Sequence, residues 1–343
     1  MRTIRLSANG EASIEHAAGI IRCGGLVAFP TETVYGLGAN ALDGTAAKKI
    51  FMAKDRPVWD PLIVHVHSRE MLESVVPSLP ARFDDLFSAF MPGPLTLVIR
   101  KSAAVPDVVT AGRETVAVRF PAHSVAQRLI AASNVPIAAP SANRFGCVSP
   151  TTADHVLADL DGRIEAVLDG GQCDIGVEST VLDLTATKPL ILRHGAVTRE
   201  QLQRVLGDVD VPDPGTLSPP QTGLLSPGMM PRHYAPRTKL LLSSWCESAL
   251  ASAVEERLEK KVGALVPTGW NISAAAKFDW GRWGDLVTLA SRLYAGLRWL
   301  DEQKLDVIIA PLPGEEELGG AIRERLLKAS GGAMCPPLGG RRG

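Results

Sequence analysis

The 343-residue chain reads as an α/β protein in two parts, and three observations lead there. Short apolar runs of strand length recur through the first two hundred residues, and several are closed by proline and followed by polar side chains. Segments with apolar residues at helical spacing lie between them. After Thr238 the alternation restarts as three apolar strands and three helices, a βαβ rhythm that predicts a small parallel sheet with helices around it. The proline-rich run between Gly207 and Pro236 excludes regular helix and central strand, so it separates the two parts as an extended linker. The expected organisation is a first domain over 1–206, a linker over 207–237 and a second domain over 238–343.

The elements follow in chain order. Ile14, Ala17, Ala18 and Ile21 share one side of a helix that Gly24-Gly25 ends. Leu26 to Phe29 is a buried strand closed by Pro30. Asp43 or Thr45 caps a helix through Met52, and Pro57 forces the chain out of helix by Arg56. Leu62 to Val66 is the next strand. Helix is expected from Leu72 to Phe90, broken by Pro77 and Pro80. Strands then follow at Leu95 to Ile99, Glu114 to Phe120 and Val135 to Ala139, with a helix over Ser124 to Ala132. Ala153 to Leu160 is helical, Ala166 to Leu168, Glu178 to Leu184 and Leu190 to Arg193 are strands, and Thr198 to Leu206 is a short helix. In the second part, strands are expected at Lys239 to Leu242, Gly263 to Val266 and Asp306 to Ala310. Helices are expected at Glu247 to Lys260, which stacks Leu250, Val254 and Leu258, at Ser291 to Gln303, and at Leu318 to Ala329.

Composition narrows the functional classes. Hydrophobic residues make up 45% and charged residues 21%, enough for packed cores. The formal net charge of −1 lacks the basic excess of a protein that holds nucleic acid by neutralising phosphates alone. The five cysteines are scattered and without C-x-x-C spacing, which reads as reduced thiols rather than a disulfide frame or a zinc site. With no signal-peptide pattern and no run of 18 apolar residues, a cytoplasmic enzyme or binding protein is expected.

The candidate site is assembled from strand ends. Thr31, His65, Arg119, Ser141, Ser179 and Arg193 each fall at or just beyond one, and in an open α/β sheet such ends converge on a crevice. Four dispersed cations, Lys54, Arg56, Arg119 and Arg193, make that crevice suited to a polyanion. The competing reading gives Lys54 and Arg56 to the dipole of the helix they leave, and Arg119 to an ion pair with Glu114 or Asp107. His65 and His67 share a strand face and could ligate a metal, but no third ligand is evident. Gly36-Leu-Gly38-Ala-Asn-Ala41 matches G-x-G-x-x-A, yet its first glycine lies too far from the strand end for a dinucleotide fold. A non-catalytic RNA-binding protein is the alternative function.

Seven segments together, FPTETVYGLG, Lys54-Asp55-Arg56, PLIVHV, TVAVRFP, PIAAPSAN, GVESTV and RHYAP, strongly resemble the threonylcarbamoyl-AMP synthases in their longer, two-domain form. The resemblance implies an open twisted mixed α/β sheet of the YrdC-like kind, followed by a smaller Rossmann-like parallel domain. It implies synthesis of threonylcarbamoyl-AMP from L-threonine, bicarbonate and ATP with release of pyrophosphate. A separate tRNA threonylcarbamoyltransferase would then modify tRNAs reading ANN codons. Mg²⁺ is implied as the companion of ATP, with no metal site of the protein's own. By motif position, Thr31, His65, Arg119 and Ser179 are expected to bind threonine. Lys54, Arg56, Thr115, Ser141, Asn143, Ser149 and Arg193 are expected to bind the nucleotide, with Lys54 and Arg56 catalytic, and His233 and Tyr234 to form a lid. Two departures stand out: Asp60 where the family more often has asparagine, and His194 where proline usually follows the strand arginine.

Overall fold

The computed structural model describes residues 2–211, 230 and 232–336. They divide into two compact units. The first takes the described residues up to 145 together with 149–174 and 178–211, and the second takes 146–148, 175–177, 230 and 232–336.

The first unit is built on ten strands: β1 (Ile4–Ser7), β2 (Val27–Phe29), β3 (Gly36–Asn40), β4 (Ile63–His65), β5 (Leu95–Arg100), β6 (Thr115–Arg119), β7 (Ile137–Ala138), β8 (Ala166–Asp169), β9 (Thr180–Asp183) and β10 (Leu190–Arg193). They form one mixed sheet in the order β1-β8-β2-β3-β7-β4-β6-β5-β9-β10. Alternation along β2 separates two cores: Ala28 joins the larger one, while Val27 and Phe29 pack with helices Glu11–Arg22 and Ser124–Ser133. The larger core also takes Ala46, Ala47 and Ile50 from helix Gly44–Lys54.

Two strands were not expected from sequence. The side chains of β1 are largely exposed, so it carries no burial pattern. In β3, GLGAN has the composition of a turn. Its glycines are there for packing: a Cβ on Gly38 would stand 2.8 Å from the Phe29 ring and from Ile137. The G-x-G-x-x-A match is therefore a strand and not a phosphate loop.

The helix that opens at Gly44 begins where its expected cap places it. The Asp43 carboxylate accepts from Thr45 N at 2.8 Å and Ala46 N at 3.1 Å. That helix runs to Lys54 and stops at Asp55, which adopts a left-handed conformation with φ 54°. The stretch expected as broken helix is two helices, Arg69–Val75 and Phe83–Phe90, on either side of the prolines.

The second unit is a four-stranded parallel sheet of β11 (Lys239–Ser243), β12 (Val262–Pro267), β13 (Ala276–Gly281) and β14 (Val307–Pro311), in the order β11-β14-β12-β13. Helices Glu247–Glu255, Leu286–Asp301 and Leu318–Ser330 accompany it. β13 was missed because its sequence, AKFDWG, mixes exposed and buried positions without an apolar run. The helix expected to reach Lys260 ends at Glu255, so Leu258 is not carried to the buried face and stands 76% exposed. No helix among the described residues is long and apolar enough to cross a membrane.

Candidate active site

One row of cross-strand partners organises the site. His65 of β4 stands beside Arg119 of β6, Arg119 beside Thr96 of β5, Thr96 beside Val181 of β9, and Val181 beside Arg193 of β10. Directly paired residues project from the same face of a sheet, so this row aims an imidazole, a hydroxyl and two guanidiniums into one space. Two residues along the strands, Ile63, Ala117 and Val98 share that face and join Val181 and Leu192 in a small apolar cluster.

Arg193 belongs to the row through an irregularity. The register of β10 on β9 shifts between Ile191 and Arg193, so Leu192 is the extra residue of a bulge. In regular pairing Arg193 would face Thr180 and project from the other side of the sheet. Two residues later, Gly195 packs so close to the Ser179–Thr180 backbone that a Cβ would stand 2.2 Å from Thr180 N. The guanidinium of Arg193 donates to Ser179 O at 3.0 Å and Ser179 Oγ at 3.1 Å, and Ser179 Oγ lies 2.8 Å from Thr96 Oγ1.

The loop after β2 closes over Arg119. Its Nη1 donates to Thr33 Oγ1 at 2.9 Å, and its Nη2 lies 2.8 Å from Glu32 Oε1. Glu114 and Asp107, the partners suggested from sequence, are not the ones it finds. Burial opposes ionisation of Glu32, but the charge and contact of Arg119 outweigh it and hold the carboxyl below its ordinary range. Thr31 Oγ1 donates to Val34 O at 2.6 Å and accepts from Val34 N at 3.2 Å, so it fastens the loop that carries Glu32 and Thr33. His65 is buried, with its ring edge-on to Phe29 at 6.1 Å. Burial, reinforced by Arg119, lowers its pKa to about 3, so the imidazole is neutral at physiological pH. Among the described residues no three His, Cys, Asp or Glu side chains converge as a metal site.

A second group of residues carries Lys54 and Arg56. Lys54 Nζ donates to Ser141 O at 2.5 Å and to Asn143 O. Arg56 donates to Asp60 O at 3.2 Å and Pro61 O at 2.8 Å, its Nη2 lies 3.0 Å from the Asp60 carboxylate, and its guanidinium lies 5.9 Å from the Phe145 ring centroid. Both cations are buried. They bind the loops after β7 and before β4, so the dipole of their own helix does not account for them. Asn143 Nδ2 donates to Arg144 O at 2.8 Å, and Ser149 Oγ donates to Glu178 Oε1 at 2.5 Å. Asp60 feels the charge of Lys54 and Arg193 as well as that of Arg56 beside it, and burial nonetheless raises its pKa.

Three placements differ from the sequence-based picture. Thr115 is paired with Arg100 at the far end of β6, four residues from Arg119, about 13 Å at strand rise. Tyr234, expected in a lid, is buried in the second unit, where it stacks on Tyr294 at 6.0 Å with Arg325 over its ring at 5.0 Å. His233 N donates to Lys328 O at 3.2 Å there. Glu32, Thr33, Thr96 and Glu178 are not among the site residues expected from sequence. Glu32 and Thr33 lie within the TET motif, where a carboxylate between two hydroxyls directly after a buried strand was the available signal. Linker residues 212–229 and 231 lie outside the described residues.

Fold and site define an α/β enzyme that gathers buried, sequence-dispersed cations beside hydroxyls and a neutral imidazole, in keeping with nucleotidyl transfer. The family described as "Telomere recombination" matches residues 19–195, and "Threonylcarbamoyl-AMP synthase, C-terminal domain" matches residues 197–331. The chain is 45% identical to the threonylcarbamoyl-AMP synthase of Pyrococcus abyssi, over 94% of this chain and 95% of that one. It is 44% identical to the Bacillus subtilis threonylcarbamoyl-AMP synthase, over 97% and 96%. The crystal structure of P. abyssi Sua5 complexed with L-threonine superposes with a TM-score of 0.91 at 43% identity, covering 97% of this chain and 99% of that one. The chain belongs to the threonylcarbamoyl-AMP synthase family.

Proposed function

We propose that the chain condenses L-threonine, bicarbonate and ATP into threonylcarbamoyl-AMP and pyrophosphate, and that a tRNA threonylcarbamoyltransferase takes the product to tRNAs reading ANN codons. The observation that carries the reading is the row His65, Arg119, Thr96 and Arg193, continued by Glu32 and Ser179. An amino acid presents a carboxylate, an ammonium and, in threonine, a hydroxyl. Arg119 suits the carboxylate, Glu32 the ammonium, and the hydroxyls of Thr33, Thr96 and Ser179 the alcohol.

Forming the adenylate is attack by a carbamate oxygen on the α-phosphorus. It needs charge neutralisation and alignment rather than a protein nucleophile. Lys54, Arg56 and Arg193 supply that neutralisation, with Ser141, Asn143 and Ser149 as further nucleotide contacts. ATP would enter as its Mg²⁺ complex, the ion sharing phosphate charge with Lys54, Arg56 and Arg193. A neutral His65 hydrogen-bonds the substrate without adding a charge. The scattered cysteines fit a reducing compartment, the cytoplasm.

The test is pyrophosphate release from ATP with threonine and bicarbonate each omitted in turn. Dependence on both is the expected result. Indifference to both sinks the reading and favours a non-catalytic RNA-binding protein.

A further inference from the structure

Asp60 is a carboxylate buried among cations. Its side chain is 0% exposed and that of Arg56 3%. Neither carboxylate oxygen has a hydrogen-bond partner, although Arg56 Nη2 lies 3.0 Å away. Arg56 does not depend on that carboxylate for its position, because its Nε and Nη2 donate to the main-chain oxygens of Asp60 and Pro61. What the carboxylate adds is charge. The groups acting on it are Arg56 in its own loop, Lys54 at the end of helix Gly44–Lys54 and Arg193 on β10. These are the three cations assigned above to the phosphates of ATP.

We propose that Asp60 is the resident counter-ion of the nucleotide site: it balances Arg56, Lys54 and Arg193 while the site is empty, and takes up a proton from solvent when the triphosphate replaces it. The inference rests on the proposed nucleotide site. Three buried cations without an anion repel one another, and a carboxylate among them offsets that cost. A triphosphate brings several negative charges to the same cations, and an ionised Asp60 beside them is then a like charge. Protonation removes it, and the neutral carboxyl gains an O–H able to donate to a phosphate oxygen. Burial already works in this direction, since it raises the Asp60 pKa against the opposing pull of Arg56, Lys54 and Arg193. With the pKa higher in the complex than in the free enzyme, ATP affinity falls as pH rises between the two values.

The experiment is calorimetric titration of the full chain with MgATP, without threonine or bicarbonate, in two buffers of different ionisation enthalpy. Wild type is compared with Asp60→Asn, which keeps the shape and the acceptor but cannot ionise. The wild type is expected to take up more protons per ATP than the variant. The variant is expected to bind ATP several-fold tighter at pH 8, an advantage that shrinks as pH falls. The γ-phosphate of ATP titrates identically for both proteins and cancels in the difference. Equal proton counts with a pH-independent affinity ratio overturn the proposal. Infrared difference spectra of the wild type give a second reading that needs no variant to fold: a carboxylic-acid C=O band that grows on ATP binding supports the proposal, and its absence overturns it. Failure of wild type to bind ATP at all would instead remove the nucleotide-site reading beneath it.

Discussion

Glu32 Oε1 and Arg119 Nη2 meet at 2.8 Å with side chains 8% and 5% exposed, so the loop after β2 and the end of β6 are joined by a buried ion pair. Such a pair adds little net stability when intact, but removing one partner leaves a buried charge alone. Glu32→Ala is therefore expected to lower unfolding free energy by about 3–5 kcal/mol. Glu32→Gln should cost less, because it still offers Arg119 an acceptor. Denaturant unfolding of both variants checks the order; equal stability of Glu32→Ala and wild type would mean that Arg119 does not need this partner.

His65 makes stability depend on pH in a direction that can be worked out. Its pKa is about 3 in the fold, below the ordinary 6.5, so the unfolded chain takes up a proton that the native chain refuses. Stability on this account is complete above pH 6.5 and falls by up to about 1.4 kcal/mol per pH unit as pH drops toward 3. Glu32, also lowered, acts in the same direction nearer its ordinary 4.5, whereas the raised Asp60 acts oppositely from 3.8 upward. Comparison with His65→Gln isolates the imidazole: the variant should lose less stability between pH 7 and 5 than the wild type.

The nucleotide side predicts that Arg56→Ala lowers pyrophosphate release well over tenfold, each tenfold step being about 1.4 kcal/mol of transition-state stabilisation. Lys54→Ala should do the same and also unfold more readily, since it deprives Ser141 O and Asn143 O of a buried donor. Steady-state kinetics of variants first shown to be folded make the measurement. Undiminished rates would return both residues to a structural role.

Much of this site was legible in the sequence because strands announce their ends. Pro30 and Pro140 mark where β2 and β7 give way to the polar Thr31 and Ser141, and Pro121 closes the strand that ends in Arg119. The bulge at Leu192 was not legible: regular alternation would set Arg193 on the opposite face, and only pairing with β9 shows otherwise. Lys54 was placed correctly at a helix exit, but its carbonyl partners lie 87 and 89 residues away, a separation no local pattern encodes. β3 was hidden for a related reason, since its glycines answer to Phe29 and Ile137 and not to strand propensity. Glu32 carries no role in the sequence reading because a carboxylate in a turn is ordinary until its buried arginine is seen.

Substrate choice follows from the hydroxyls gathered around Arg119. A pocket that hydrogen-bonds the threonine alcohol leaves buried polar groups unpaired when valine takes its place, and discrimination on the order of 10⁴-fold is the expected consequence. Ser179 Oγ, shared between Thr96 and Arg193, and Thr33 Oγ1, held by Arg119, are better placed for this than Thr31, whose hydroxyl serves its own loop. Specificity constants for the two amino acids decide it, and comparable values would show that the alcohol is not read.

Tyr234 offers the last prediction, because its surroundings argue for an anchor. It is 1% exposed, adopts a positive φ of 61°, stacks on Tyr294 and lies under Arg325. An aromatic ring so enclosed contributes through packing, and Tyr234→Ala should destabilise the second unit by about 3–5 kcal/mol. Tyr234→Phe keeps the stack and should cost far less. Any loss of synthesis in the alanine variant should then follow its loss of folded second unit, returning as temperature is lowered. A lid would behave differently: its alanine variant would stay folded and still release the acyl adenylate to water. Circular dichroism melting alongside retention of the intermediate separates the two. A fully folded Tyr234→Ala protein that leaks its intermediate would restore the lid.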